Sequence, residues 1–124
     1  MTNSIKAIIY DVDGTLVDTE RLHNQAWDEA LKKQGSSLRS LSNLFIQQMA
    51  GKKPIDIAKE MTKALRLNTI PEELLRVKTN VFLELASTQL QPMPGVISSI
   101  KRFKDHGLML AIGTSLDRPF WTVF

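Results

Sequence analysis

The most restrictive feature of this chain is a pair of short apolar runs lying far apart in the sequence. The first, residues 5–10, reads Ile-Lys-Ala-Ile-Ile-Tyr; the second, residues 108–112, reads Leu-Met-Leu-Ala-Ile. Neither alternates with polar residues, so each fits a strand buried on both faces, as in a parallel sheet. Parallel neighbours need a long crossover, usually helical. Everything between the two runs reads as helix. Leu22, Ala26, Trp27, Ala30 and Leu31 recur at helical spacing, and Gly35 stops that helix. Leu38, Leu41, Leu44, Phe45 and Met49 predict a second helix ending at Gly51. Pro54 suits the first turn of a third, with Ile57, Ala58, Met61, Ala64 and Leu65. Thr69-x-x-Glu72 reads as a capping box for a fourth, carrying Leu74, Leu75, Val77, Val81, Phe82 and Leu85. Pro92-Met93-Pro94-Gly95 then punctuates the chain, and Val96, Ile97, Ile100 and Phe103 predict a helix closed by Gly107. A last helix is expected to begin around Ser115 to Pro119.

The expected class is therefore α/β. With no cysteine, a disulfide scaffold, a thiolate zinc site and a cysteine nucleophile are excluded. The longest apolar runs are about five residues, far below the ~20 of a membrane span, and the first residues lack a signal-peptide core. The expectation is a soluble, cytoplasmic protein with no membrane association. A net charge of +3 without a clustered Lys/Arg run gives no case for nucleic acid.

The chemistry sits where the two runs end. Asp11 and Asp13 flank Val12 at the end of the first, followed by Gly14-Thr15. In open α/β sheets ligands bind beyond the carboxyl ends of the strands. Two carboxylates there suit Mg²⁺, or a nucleophile with a proton carrier beside it. A solvated Asp-rich turn carries the same residues, so the pair alone leaves these readings open.

The longer string Ile8-Ile9-Tyr10-Asp11-Val12-Asp13-Gly14-Thr15-Leu16-Val17-Asp18 resembles the first motif of the haloacid dehalogenase superfamily. The resemblance continues through Asp18-Thr19-Glu20-Arg21-Leu22-His23 and Ala26-Trp27, which look like the start of the helical cap in the β-phosphoglucomutase-like branch. It continues at Gly51-Lys52-Lys53-Pro54, similar to the cap's substrate loop, and at Met93-Pro94-Gly95. The stretch from His106 to Ser115 resembles the second motif, a strand ending in Thr or Ser. The segments around Asp18–His23 and Gly51–Lys53 are most similar to pseudouridine-5'-phosphatase-like members.

The resemblance implies a Rossmann-like core, residues 1–16 and 92–124, with a helical cap inserted at 17–91. It implies Asp11 as the nucleophile that takes a phosphoryl group and Asp13 as general acid/base. It implies Mg²⁺ held by Asp11 and the Asp13 carbonyl, and Thr114 and Ser115 as phosphate-binding residues. Glu20, His23, Lys52 and Lys53 become candidates to meet substrate from the cap. Glu20 fits a helix start equally well, His23 a helix surface, and the lysines a solvated loop. The implied reaction is phosphomonoester hydrolysis on a small phosphorylated sugar or nucleotide, with a phosphosugar mutase as an alternative. The family places a Lys and an acidic pair further along the core. After Thr114 this chain has Arg118 as its only basic residue and Asp117 as its only acid. The expectation is thus a C-terminally truncated core with two strands, which by itself is inactive. Its apolar end (Phe120, Trp121, Val123 and Phe124) is expected to favour self-association.

Overall fold

A computed structural model describes residues 4–114. The element order is β1 (Ala7–Tyr10), α1 (Glu20–Lys32), a 3₁₀ turn (Leu38–Ser40), α2 (Asn43–Gln48), α3 (Pro54–Ala64), α4 (Pro71–Gln89), α5 (Val96–Asp105) and β2 (Met109–Ile112). The chain forms two compact units. Residues 1–22 and 86–124 make one, and 23–85 make the other, with the boundaries falling inside α1 and α4.

In the first unit β1 and β2 pair in parallel, with Ala7 opposite Met109, Ile8 opposite Leu110, Ile9 opposite Ala111 and Tyr10 opposite Ile112. The Met109 amide donates to the Lys6 carbonyl at 3.0 Å and the Gly113 amide to the Tyr10 carbonyl at 2.8 Å. α5 packs against β2, and the Tyr10 and Ser99 hydroxyls share a hydrogen bond at 3.3 Å. α5 ends where Gly107 adopts φ 76°; Leu108 donates to the Phe103 carbonyl and Gly107 to that of Lys104, a Schellman closure that turns the chain into β2. Paired residues of parallel strands share a face. Ile8, Tyr10, Leu110 and Ile112 thus lie on the face where Tyr10 meets α5, and Ala7, Ile9, Met109 and Ala111 on the other.

That second face is open. Ile9 is 74% and Met109 68% exposed. Among the described residues these apolar strands are therefore covered on one face only. One helix and two strands form a single layer contact, and a sheet of two strands offers too little surface to bury both sides. A second pairing closes the long insertion. Val17 bridges Pro92 antiparallel, the Asp18 amide donates to the Gln91 carbonyl at 2.9 Å, and the Met93 amide to the Leu16 carbonyl at 2.9 Å.

The second unit is helical. Trp27, Ala30, Leu31, Leu41, Met49, Ile57, Ala58, Met61 and Leu74 form its buried core. α3 begins as its sequence predicts, with Lys53 at the cap position and Pro54 at the first helical position. Two local expectations are corrected. Residues 38–49 are not one helix. The Asp28 carboxylate accepts the Leu38 amide at 2.9 Å and starts a 3₁₀ turn, and Ser42 then caps a separate α2 by accepting the Phe45 amide. Apolar spacing is compatible with either outcome, and the caps decide. Likewise α4 starts one residue later than a Thr69 cap requires. Leu74 donates to the Ile70 carbonyl, so Ile70 is the cap residue and Pro71, which has no amide hydrogen to lose, takes the first helical position. Among the described residues no helix is long and apolar enough to cross a membrane.

Candidate active site

Parallel pairing in register brings the ends of β1 and β2 to one edge of the sheet. Asp11 follows Tyr10 there, and Thr114 lies just past Ile112, the partner of Tyr10. Asp11 is exposed, whereas Asp13 and Thr114 are half-buried. The other member of the implied phosphate-binding pair, Ser115, lies outside the described residues, as do Arg118, Asp117 and the helix expected to begin near them.

A tight turn sets Asp13. Val12 is buried, and its carbonyl accepts the amides of Thr15, Leu16 and Val17 at 3.0–3.2 Å. Gly14 sits at φ 69°, a left-handed conformation that suits glycine, and donates to the Val17 carbonyl at 2.9 Å. The Asp13 side chain is then fixed by Thr19. The Thr19 hydroxyl, 1% exposed, donates to Asp13 Oδ1 at 2.6 Å. A hydrogen bond to a carboxylate is short and strong when its donor is shielded from water. Thr19 is a positioning residue that sequence reading passed over, although it stands inside the string that carries the resemblance. Nothing in the local sequence marks a threonine that folding will bury.

The edge offers oxygen donors only. None of the turn's hydrogen bonds uses the Asp13 carbonyl. That carbonyl and the Asp11 carboxylate match the hard-oxygen preference of Mg²⁺, which keeps several waters and takes substrate phosphate as a further ligand. Among the described residues no group of three or more His, Cys, Asp or Glu gathers to hold a metal.

The remaining candidates divide between the two units. Glu20 is the exposed first residue of α1, where an acid complements the helix dipole. His23, Lys52 and Lys53 belong to the helical unit. Lys52 does not stand as a bare cation in a solvated loop. Its Nζ donates to both carboxylate oxygens of Glu60, at 3.0 and 2.9 Å. Lys53 is exposed at the cap of α3.

His23 is not a surface histidine. Its ring stacks on Phe82 with centroids 4.0 Å apart and planes 7° from parallel. Its Nδ1 is 2.8 Å from Nζ of Lys78. Lys78 is 3% exposed and lies 5.2 Å from the ring centroids of both Trp27 and Phe82. An ammonium group can only donate, so Nδ1 accepts and the neutral imidazole carries its proton on Nε2. Burial first, and the Lys78 charge second, push the His23 pKa down to about 3. Lys78 was invisible in the sequence because it occupies an apolar stripe. Leu74, Lys78, Phe82 and Ala86 follow one another at intervals of four and all are buried. A lysine there disguises a core position as a polar one.

Two outcomes test these contacts. Thr19→Val keeps the shape but removes the donor, and should lower unfolding stability by about 1.5–3 kcal/mol in urea titrations at pH 7. For His23, the unfolded chain binds a proton at the ordinary 6.5 and the folded one only near 3. Between those values the unfolded state holds the extra proton, so stability falls as pH falls, by up to about 1.4 kcal/mol per pH unit. The double variant His23→Phe/Lys78→Met should therefore lose less stability than the parent chain between pH 7 and pH 4.5, by the same measurement.

Known proteins agree with this architecture. The haloacid dehalogenase-like hydrolase family matches residues 8–124. The protein CbbY of Rhodobacter capsulatus is 34% identical over 118 residues, covering 92% of this chain and 52% of that protein. The fructose-1-phosphate phosphatase YqaB of Escherichia coli is 28% identical over 108 residues, covering 86% and 54%. The crystal structure of CbbY from Rhodobacter sphaeroides in complex with phosphate shares the fold at a TM-score of 0.72 and 24% identity, over 97% of this chain and 55% of that one. The chain spans about half the length of the relatives it matches. With a strand-end Asp-x-Asp turn, a parallel β1–β2 pair and a family match over nearly its whole length, the chain belongs to the haloacid dehalogenase-like hydrolases.

Proposed function

We propose that this chain carries the phosphoryl-accepting half of a Mg²⁺-dependent phosphomonoester hydrolase. The observation that carries the proposal is the pair at the end of β1: an exposed Asp11, and an Asp13 whose carboxylate is held by a buried hydroxyl. One group is open to attack a substrate and the other is oriented beside it.

In the first step an Asp11 carboxylate oxygen attacks phosphorus, the bond from phosphorus to the leaving oxygen breaks, and that oxygen takes a proton from Asp13. In the second, water gives a proton back to Asp13 as its oxygen attacks phosphorus, and the bond to Asp11 breaks. Both carboxyl groups end as they began. Bound Mg²⁺, on the Asp11 carboxylate and the Asp13 carbonyl, would supply charge neutralisation for the phosphoryl oxygens. Thr114 is assigned to a phosphoryl oxygen, and the resemblance alone gives Ser115 the same role. The substrate class is a small phosphorylated sugar or nucleotide, a reading supported by the sugar phosphate that the E. coli relative's name carries. Within the helical unit, Lys52 is already paired with Glu60, and Lys53 is an exposed cation.

The test is thermal unfolding with Mg²⁺ and beryllium fluoride, a mimic of the phosphoryl group on aspartate. The parent chain should gain stability, about 2.7 kcal/mol at a hundredfold excess over Kd, and Asp11→Asn should gain none. Equal stabilisation of both proteins, or none of either, refutes the assignment of Asp11.

A further inference from the structure

The two ends of the helical insertion run side by side in the first unit, and their contacts form a ladder. The Met93 amide reaches the Leu16 carbonyl, Val17 bridges Pro92, and the Asp18 amide reaches the Gln91 carbonyl. Arg21 adds a further rung. Its Nη1 donates to Gln89 Oε1 at 3.4 Å and its Nη2 to the Gln89 main-chain carbonyl at 3.3 Å, while its Nε lies 3.8 Å from Asp18 Oδ2. All of these residues belong to the first unit.

Gln89 is the last residue of α4, so its carbonyl is among those that the helix leaves without an internal partner. The last turn of α4 carries no basic residue of its own. A cation is favoured there by the helix dipole, and it arrives from 68 positions earlier in the sequence. The strength of the contact does not explain its form. Arg21 and Asp18 are both about half-exposed, and an exposed ion pair adds little to stability. What a guanidinium offers is shape, a rigid planar fork whose donors are fixed in direction. This fork meets Asp18 and Gln89 at once.

Thr19 stands in the sequence between Asp18 and Arg21. The backbone is therefore fastened to the returning segment on both sides of Thr19, by the Asp18 amide before it and by the Arg21 side chain after it. Thr19 is also the residue whose hydroxyl holds Asp13 Oδ1, at 2.6 Å. A hydrogen bond this short weakens quickly if the backbone that carries its donor shifts.

We propose that Arg21 is a positioning residue: by forking between Asp18 and Gln89 it fixes the chain around Thr19 and so keeps the Thr19 hydroxyl on Asp13, a role in the reaction that rests on Asp13 being its proton carrier. Arg21 touches no reacting atom and acts only through Thr19.

The test compares the parent chain with Arg21→Ala and Arg21→Lys by NMR. In Arg21→Ala the Asp18 amide should exchange with solvent about tenfold faster, while the Gly113 amide, which donates to Tyr10 across the strand pair, should exchange as before. Three-bond couplings of Thr19 report its χ1 angle. They should show one rotamer in the parent chain and an average over several in Arg21→Ala. Arg21→Lys keeps the charge but has a single donor nitrogen, so it should restore Asp18 protection only in part and leave Thr19 averaged. Unchanged Thr19 couplings in Arg21→Ala overturn the proposal, because Arg21 would then brace the insertion without reaching the partner of Asp13. Equal acceleration at Gly113 overturns it as well, since the contact would then serve general stability. Full rescue by Arg21→Lys would assign the effect to charge and overturn the fork. None of these readouts involves Asp11, so a failure here is distinct from a missing response to beryllium fluoride.

Discussion

Parallel pairing of β1 with β2 imposes most of the architecture. Two strands that run the same way cannot be joined by a tight turn, so the chain must leave one end of the sheet and return to the other. Here the crossover contains an entire helical unit. The same pairing sends both strands toward a common edge, and this alone brings Asp11 and Thr114 to the same place, although most of the sequence lies between them. The chemistry of the edge therefore depends on main-chain geometry before any side chain is considered. The Val12 carbonyl gathers three amides and so aims Asp13, and Thr19 holds the aim.

Much of this was legible because the decisive signals are local. A continuous apolar run ending in Asp-x-Asp-Gly-Thr announces both the strand and the turn. Pro54 and Gly107 mark a helix start and a helix stop through their own backbone preferences, and the structure places them there. The misreadings share a cause. In residues 38–49 the break comes from the Asp28 side chain reaching ten residues along the chain, and at α4 from competition between two adjacent start signals, which proline wins. At the candidate site, Asp11, Asp13 and Thr114 could be named from pattern, whereas Thr19 and Lys78 could not. Their roles arise from partners brought close by folding, and Lys78 meets His23 across 55 positions.

The buried Lys78 cluster is energetically peculiar. An ammonium group beneath two aromatic faces has lost most of its water. It recovers part of that loss from the ring quadrupoles of Trp27 and Phe82 and part from the imidazole nitrogen. Such an arrangement is costly to disturb on one side only, since a buried ammonium group depends on each group that stands in for its lost water. It also ties α1 to α4 by a contact that tolerates few alternatives, because donor, acceptor and both rings must agree in position. A purely aliphatic seam between the same helices would slide more readily.

The bridge between Val17 and Pro92, with its flanking hydrogen bonds from Asp18 to Gln91 and from Met93 to Leu16, has a different kind of consequence. It pinches the two ends of the insertion together at the rim of the sheet. Once those ends are held side by side, the sheet is indifferent to how many residues are looped out beyond them, since closing a longer loop adds only about 0.6 kcal/mol per doubling. The helical insertion can therefore lengthen, shrink or change its sequence over evolutionary time while the strand ends stay in register. What a descendant of this chain recognises can drift independently of the edge on which it would act.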